Sequence, residues 1–570
     1  MNNKEIARTF RTVAALMELH NENAFKIRSY ENAALSISRM EGILSDMSDK
    51  EIAAINGIGA AIAEKIRLLL QSGTFPLLDE LLGKTPAGVV DILGVKGIGP
   101  KKVQMLWKDL GIETLGELLY ACEENRLAQI SGIGAKTQAN VKEQVLYLLA
   151  NQGKHLWGDI EGEVKRIVAD LSKQKHIAQA ALSGPMRRLC PVPETIDILL
   201  AVEPECNLPD IFQTLALTVV LSPPLPAPTL STWQLRTQGG LLLTIYSCPP
   251  RQFARHWLQT SASPEHLAQI GLAASPQTTD DEADTEAAIY TRLNLPFVLP
   301  ELRDTARQLE WACHNNADQL IDASHIKGIL HAHSTYSDGV NTLKDMAVAC
   351  KNAGYQYLGI SDHSISAFYA GGLKPERIIA QHQEIDLLNE QLHPFRLFKG
   401  IEADILGDGR LDYTNDILAS FDFVIASIHA NLFMDEAKAM SRLIKAIENP
   451  YTTILGHPTG RLLLTRQGYP INHNKIIEAC ADNGVIIELN ANPRRLDIDY
   501  RYLEYCMTKG VKISINPDAH SIAAINHLQY GINAARKGLL THDFTFNTLD
   551  AEALNKHFTA RKALADKHFR

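Results

Sequence analysis

No stretch of this sequence is apolar for the roughly 20 residues that a membrane-spanning helix needs. A hydrophobic share of 45% beside 21% charged residues is ordinary for a water-soluble chain, so membrane insertion is not expected. Cysteine is sparse and scattered. The eight residues (Cys122, Cys190, Cys206, Cys248, Cys313, Cys350, Cys480 and Cys506) form no CxxC pair, which excludes a disulfide framework and a zinc ribbon and leaves them as small buried apolar residues. A field of positive charge is also missing. The net charge is −9, and residues 1–150 carry 17 Lys/Arg against 18 Asp/Glu, so any grip on nucleic acid must be local. The opening MNNKEIARTFRTVAAL has no apolar core followed by a cleavage site, and a cytoplasmic location is expected.

At 570 residues the chain exceeds what one core organises, and roughly three to five domains are expected. Residues 1–150 read as helices separated by short glycine turns. One pattern returns three times, as Asn56-Gly57-Ile58-Gly59, Lys96-Gly97-Ile98-Gly99-Pro100 and Ser131-Gly132-Ile133-Gly134, each before an amphipathic helix. Residues 151–300 change to β-rich runs (ETIDILLAV, LALTVVLS, GLLLTIYS) with a Pro-rich break at SPPLPAPTLS. Residues 301–325 form a helical connector. From Ile326 onward seven apolar runs alternate with helical stretches: KGILHAH, YLGISDH, FRLFKGIEADI, FDFVIASIH, TTILGHP, VIIELNAN and VKISINPDAH. Strand then helix at roughly 30-residue intervals predicts βαβ units and a closed or nearly closed parallel barrel.

Six of these seven strands end in a metal-ligand type of residue: His331 and His333, His363, Glu402, His429, His457, then Asp518 and His520. Parallel strands in a barrel open onto one face, so residues distant in sequence converge there, and Asp338 after the first strand points to the same rim. Six imidazoles and three carboxylates suit borderline divalent ions such as Zn²⁺, Mn²⁺ or Fe²⁺ and exceed the ligands of a single ion, which implies two or three. Clustered ions of this kind generate a nucleophilic water and neutralise a leaving oxygen; phosphoester hydrolysis is the expected reaction. His382, His393 and His473 lie in helical or loop stretches and are set aside.

At HAHSTYSDG, SDHS, GIEADI, SIHA, GHPTGR and NPDAH, over about residues 326–545, the sequence resembles the PHP (polymerase and histidinol phosphatase) family. The resemblance implies a distorted (β/α)7 barrel with a three-ion Mn²⁺ or Zn²⁺ site: one ion on His331, His333, Glu402 and Asp518, a second on Glu402, His429 and His457, a third on Asp338, His363 and His520. His331, His333, Glu402 and Asp518 would be catalytic. Arg461 and Arg495, just past strand ends, are candidates to grip substrate phosphate, with surface ion pairs as the alternative reading.

The glycine turns have a physical reading as well. Positive φ frees backbone N–H groups to face a phosphate, and the following helix adds its dipole. Gly57, Gly59, Gly97, Gly99, Gly132 and Gly134 are thus candidate DNA-binding positions, holding the backbone without reading bases. They resemble helix-hairpin-helix motifs and, with AFKIRSYENAA at 24–34, the N-terminal (1–80) and fingers-like (81–150) domains of family X DNA polymerases. Mg²⁺ and a monovalent cation are further ions considered for the hairpins. Lys65 falls where some members hold a Schiff-base lysine for abasic-site lyase chemistry, although a solvated helix lysine is preferred. Over 151–300 the resemblance is to a nucleotidyltransferase-like α/β palm and thumb, with departures. The family's Gly-Ser-x-x-Arg-Arg reads Gly184-Pro185-Met186-Arg187-Arg188, its Asp-x-Asp reads Thr195-Ile196-Asp197, and its third Asp falls near Trp233-Gln234. Only Asp197 remains of three carboxylates, too few for two Mg²⁺ ions between phosphates.

The sequence thus resembles a bacterial family X DNA polymerase with a C-terminal PHP domain (326–570), multidomain α and α/β in fold and degenerate in its polymerase centre. The resemblance implies a metal-dependent 3′–5′ exonuclease or 3′-end phosphoesterase, with abasic-site endonuclease activity as an extension, acting on gapped, nicked or 3′-blocked DNA. No protein partner is predicted. A working gap-filling polymerase and a non-catalytic DNA-binding scaffold are the alternatives.

Overall fold

The computed structural model describes residues 3–38, 40, 44–127, 132–222, 230–272 and 283–568. Two compact units result: residues 1–152 with 465–467, and residues 153–464 with 468–570. Ser131 of the third turn, and residues 223–229 of the Pro-rich break, lie outside the described residues.

The first unit is helical. Its longest helices among the described residues are Asn3–Leu19, Ala24–Ser38, Ala60–Ser72, Pro100–Leu110 and Ala135–Asn151. One continuous core runs from Ile6 to Val145, with Phe10 at its centre, 5.6 Å from the Tyr30 ring and 5.8 Å from Phe75.

The second unit begins with a five-stranded sheet of β1 (Ile177–Leu182), β2 (Asp197–Val202), β3 (Thr218–Leu221), β4 (Ser231–Arg236) and β5 (Leu242–Cys248), in the order β1-β2-β5-β4-β3. Only β2 and β5 pair in parallel. Leu302, Trp311 and Leu320 of the 301–325 connector are buried in a core with Leu258, Tyr290 and Val298, so the connector is packed.

The barrel uses the seven predicted runs as β6 (Gly328–Ile329), β7 (Tyr357–Ile360), β8 (Arg396–Asp404), β9 (Phe423–Ser427), β10 (Thr452–Leu455), β11 (Ile486–Asn490) and β12 (Ile513–Asn516), in sequence order across one sheet. The strands are buried over nearly their whole length, and the polar residues among them include the buried Glu402, Asp404, Glu488, Asn490 and Asn516. The sheet nearly closes. His333 N–H donates to Ala519 O at 2.8 Å, and the buried Asn547 amide stitches the seam, donating to Gly328 O (3.0 Å) and Ile515 O (3.1 Å) while its oxygen accepts from Ile515 N–H (2.7 Å). Phe398, Phe423 and Phe558 plug the opposite end, with the Phe423 and Phe558 rings stacked at 5.1 Å. The open mouth is therefore at the C-terminal ends of the strands.

The segments flanking the five-stranded sheet are packed against the barrel. Arg494 reaches Asp159 at 2.8 Å, the Tyr530 hydroxyl donates to Glu161 at 2.8 Å, and fully buried Lys537 donates to Arg188 O at 2.7 Å and pairs with Asp304.

Candidate metal centre

Every imidazole and carboxylate singled out at the strand ends arrives at the barrel mouth. Glu402, on β8, is the hub. Its Oε1 faces His429 Nε2 at 3.1 Å and His457 Nε2 at 3.0 Å, whereas Oε2 faces His331 Nε2 at 3.4 Å, His363 Nδ1 at 3.0 Å and His333 Nε2 at 3.7 Å. That division is the one a carboxylate shared between two ions would show. Asp518 Oδ1 lies 3.1 Å from His333 Nε2 and 3.6 Å from His331 Nε2. Asp338 Oδ1 lies 3.4 Å from His520 and 3.7 Å from His363. Three groups of donor atoms stand close enough to share an ion: His331, His333 and Asp518; His363, Glu402 and His429; and His333, Asp338, His363 and His520. These groupings differ from the resemblance-derived sets: Glu402 is not in the group of His331, His333 and Asp518, His363 takes the place of His457 beside Glu402 and His429, and His333 joins Asp338, His363 and His520.

The donors fit divalent ions. His331 Nε2 and Glu402 Oε2 are buried without a hydrogen-bond partner among the described residues, a costly arrangement unless something else satisfies them, and neutral imidazole with carboxylate is a donor set for Zn²⁺ or Mn²⁺. The electrostatics agree. Burial lowers the His333 imidazole to about 3, aided by the neighbouring His520 and His363. Burial opposes the charge on Glu402 and on Asp518, yet the surrounding histidines hold both carboxyls well below the usual range. Burial likewise opposes protonation of His429 and His520, but Glu402 and Asp404 hold the former up at about 10, and Asp338 and Asp518 hold the latter at about 9.

Around the donors lies a layer of carboxylates that the sequence reading passed over. Glu488, on β11, accepts from His331 Nδ1 at 2.7 Å and from His457 N–H at 2.9 Å, which turns His331 Nε2 toward the centre. Asp404, two residues beyond Glu402 and so on the same side of β8, takes His429 Nδ1 at 2.8 Å. Asp362 clamps the first loop, accepting from the Ser334 hydroxyl and from Gln381 at 2.6 Å each. A signal was present: Glu488 is the one charged residue in VIIELNAN, the strand without a ligand at its end. Glu488→Ala is expected to weaken Mn²⁺ binding about 10- to 100-fold. Competition with a chelator measures this, and unchanged affinity would remove the orienting role.

The two arginines separate. Arg495 Nε is 3.7 Å from Asp518 Oδ2 and borders the centre. Arg461 instead donates to Arg495 O at 2.9 Å, to Asp499 at 2.6 Å and to Leu496 O. Each of its three side-chain nitrogens makes one of these bonds, which tie Arg461 to the 495–499 loop.

In the first unit the three turns share one geometry. Gly57, Gly97 and Gly132 have φ of 86°, 98° and 82°, while Gly59, Gly99 and Gly134 are extended N-caps of helices 60–72, 100–110 and 135–151, with no side-chain cap. The positive φ thus belongs to the first glycine of each pair only. The uncapped first turns leave N–H groups for a ligand. Lys65 Nζ donates to Ala61 O of its own helix at 3.0 Å.

In the five-stranded sheet, Asp197, Thr244 and Gln234 form one row across β2, β5 and β4, with Gln234 on the far side of Thr244 from Asp197. Asp197 is buried, which raises its carboxyl despite Thr195 and Arg188, and Thr195 donates to it at 2.6 Å. A Cβ on Gly184 would come within 1.9 Å of Asp197 Oδ2, so the carboxylate is folded onto the turn. Arg187 pairs with Glu286 at 2.6 Å and stacks 3.3 Å over Trp257, and Arg188 pairs with Asp304. Both are committed to packing. Glu194 is exposed.

Fold and site together define a helix-hairpin-helix protein with a metal-dependent PHP barrel. A helix-hairpin-helix domain model matches residues 1–75, a SAM-like helix-hairpin-helix tandem 89–145 and the PHP domain 330–492. Over 97% of its length the chain is 33% identical to a DNA polymerase/3′-5′ exonuclease PolX of Bacillus subtilis (strain 168), covering 98% of that protein. A probable phosphatase of Thermoanaerobacter sp. (strain X514) is 27% identical over 42% of this chain and 97% of its own; one of Syntrophotalea carbinolica is 26% identical over 39% of this chain and 92% of its own. The chain belongs to the PolX-like family of DNA polymerase homologues with helix-hairpin-helix domains and a C-terminal PHP domain.

Proposed function

We propose that this chain is a metal-dependent DNA phosphoesterase in DNA repair, removing nucleotides or blocking groups from 3′ ends in the 3′–5′ direction, on a polymerase scaffold whose nucleotidyl transfer is weak or lost. The observation that carries it is the contrast between two centres in one unit: six imidazoles and three carboxylates converge at the barrel mouth, while the palm row retains Asp197 alone. Mn²⁺ or Zn²⁺ held there would supply an activated water and neutralise charge on the leaving oxygen. Glu488 and Asp404 hold the imidazoles in place, and Arg495 borders the centre where a phosphate would enter. The glycine hairpins would hold gapped, nicked or 3′-blocked DNA by its backbone. Abasic-site cleavage would be the same hydrolysis at an internal ester, and the cytoplasm is the expected compartment.

The test is hydrolysis of end-labelled duplex and gapped DNA with Mn²⁺, comparing the unaltered protein with His331→Ala and Asp197→Ala and scoring primer extension on the gapped substrate. Loss of 3′ cleavage in His331→Ala alone, with no extension by any variant, is expected. The Bacillus subtilis relative, called both polymerase and exonuclease, favours a second reading in which the palm still extends primers. Extension that Asp197→Ala abolishes would establish it and end the first.

A further inference from the structure

Among residues 326–568, eight large apolar side chains are exposed, and five of them stand on loops leaving the mouth ends of three strands: Ile365, Phe368 and Tyr369 after β7, Phe433 after β9 and Ile522 after β12. Exposed apolar residues scattered singly need no explanation, but a concentration round one opening does. Phe368 is the extreme case, 86% exposed. It does not sit on a loose loop. Its neighbours Ala367, Ala370 and Leu373 are buried, Ala370 N–H donates to Ala367 O at 2.9 Å and Leu373 N–H to His363 O at 2.8 Å. The Tyr413 hydroxyl donates to Leu373 O, and Arg377 ties Gly371 O to Thr335 O at 3.3 and 3.4 Å. The turn thus buries its small residues and presents its aromatic ones.

The aromatic pair continues the metal centre outward. The Tyr369 ring lies 6.4 Å from that of His363, and the Phe368 ring lies 6.1 Å from that of Tyr369. A phosphate by itself asks for cations and N–H donors, and a polyol phosphate offers no flat apolar face. A nucleobase does, and stacking on an exposed aromatic ring is how proteins hold unpaired bases without reading them. A preorganised ring loses little freedom on binding.

We propose that Phe368, backed by Tyr369, is the platform on which the base of the nucleotide being removed stacks, making the substrate of the barrel an ester that carries a nucleobase beside the scissile bond. The inference rests on the nuclease reading above.

The test uses the full-length protein with Mn²⁺ and two duplexes that differ only at the 3′-terminal nucleotide, one with a thymine and one with an abasic tetrahydrofuran. The unaltered protein is expected to remove the base-bearing nucleotide with a kcat/KM about tenfold or more above that for the abasic one. Phe368→Ala should bring that ratio close to one, Phe368→Trp should keep it, and Leu387→Ala, an exposed side chain on helix 375–392 away from the mouth, should leave it as it was. A ratio near one in the unaltered protein, or one that Phe368→Ala does not change, overturns the platform while the nuclease reading stands. Equal loss on both ends in Phe368→Ala also overturns it, because a structural role would act on both alike. If the unaltered protein releases nothing from either end, the nuclease reading fails and the platform with it.

Discussion

Glu402→Gln is expected to lower Mn²⁺-dependent release from a labelled 3′ end by about three orders of magnitude, a barrier increase of several kcal/mol. The amide has the shape of the carboxylate, so β8 and the barrel should persist. The charge is what disappears. Glu402 is the only donor facing five of the six imidazoles, His331, His333 and His363 through one oxygen and His429 and His457 through the other. Without its charge the group of His363, Glu402 and His429 loses a member, and His331, His333 and His457 lose the carboxylate beside them. Metal content of the purified variant, activity on the labelled end and thermal unfolding, measured together, separate loss of the centre from loss of the fold. Retention of more than a tenth of the activity would mean that Glu402 is not the hub.

Metal affinity is expected to fall steeply with acid, by about a hundredfold per pH unit below pH 8.5 if two protons are displaced. In the metal-free protein His429 is held up at about 10 and His520 at about 9, so both imidazoles carry a proton at neutral pH that a bound ion must displace. Titration calorimetry in buffers of different ionisation enthalpy should show protons released to the buffer when Mn²⁺ binds at pH 7.5. The stability of the metal-free protein should change the other way. For a histidine whose folded value lies above its unfolded 6.5, the stabilisation is complete below 6.5 and is lost as pH rises through the folded value, so these two pairs cease to contribute between pH 6.5 and 10. The carboxyls of Glu402 and Asp518, held low, contribute above their ordinary values and stop contributing on acidification. An affinity that does not depend on pH, with no proton release, would show that the imidazoles are neutral before the ion arrives.

Much of the centre was legible in the sequence because its signals are local. A parallel barrel strand is a short, largely apolar run, and a residue at or just past its C-terminal end faces the mouth whichever neighbours the strand has. His331, His333, His363, Glu402, His429, His457, Asp518 and His520 could therefore be placed by position alone. The three glycine turns are local for the same reason, since a positive φ at Gly57, Gly97 and Gly132 is a property of one residue and its chain neighbours. Thr195 and Gln234 were also plain in the sequence, and the strand register adds that Gln234 lies across Thr244 from Asp197.

What the sequence by itself determined was therefore the set of donor residues and their strand-end positions, along with the hairpins. Only the tertiary structure decided how those groups are held and what surrounds them. Glu488 supports His331 across 157 residues of chain, and Arg461 is taken from the solvent by the 495–499 loop. Phe368 is left in the open by a turn whose small residues are buried. Each depends on which segments the closing barrel brings together, and no periodicity along the chain encodes that.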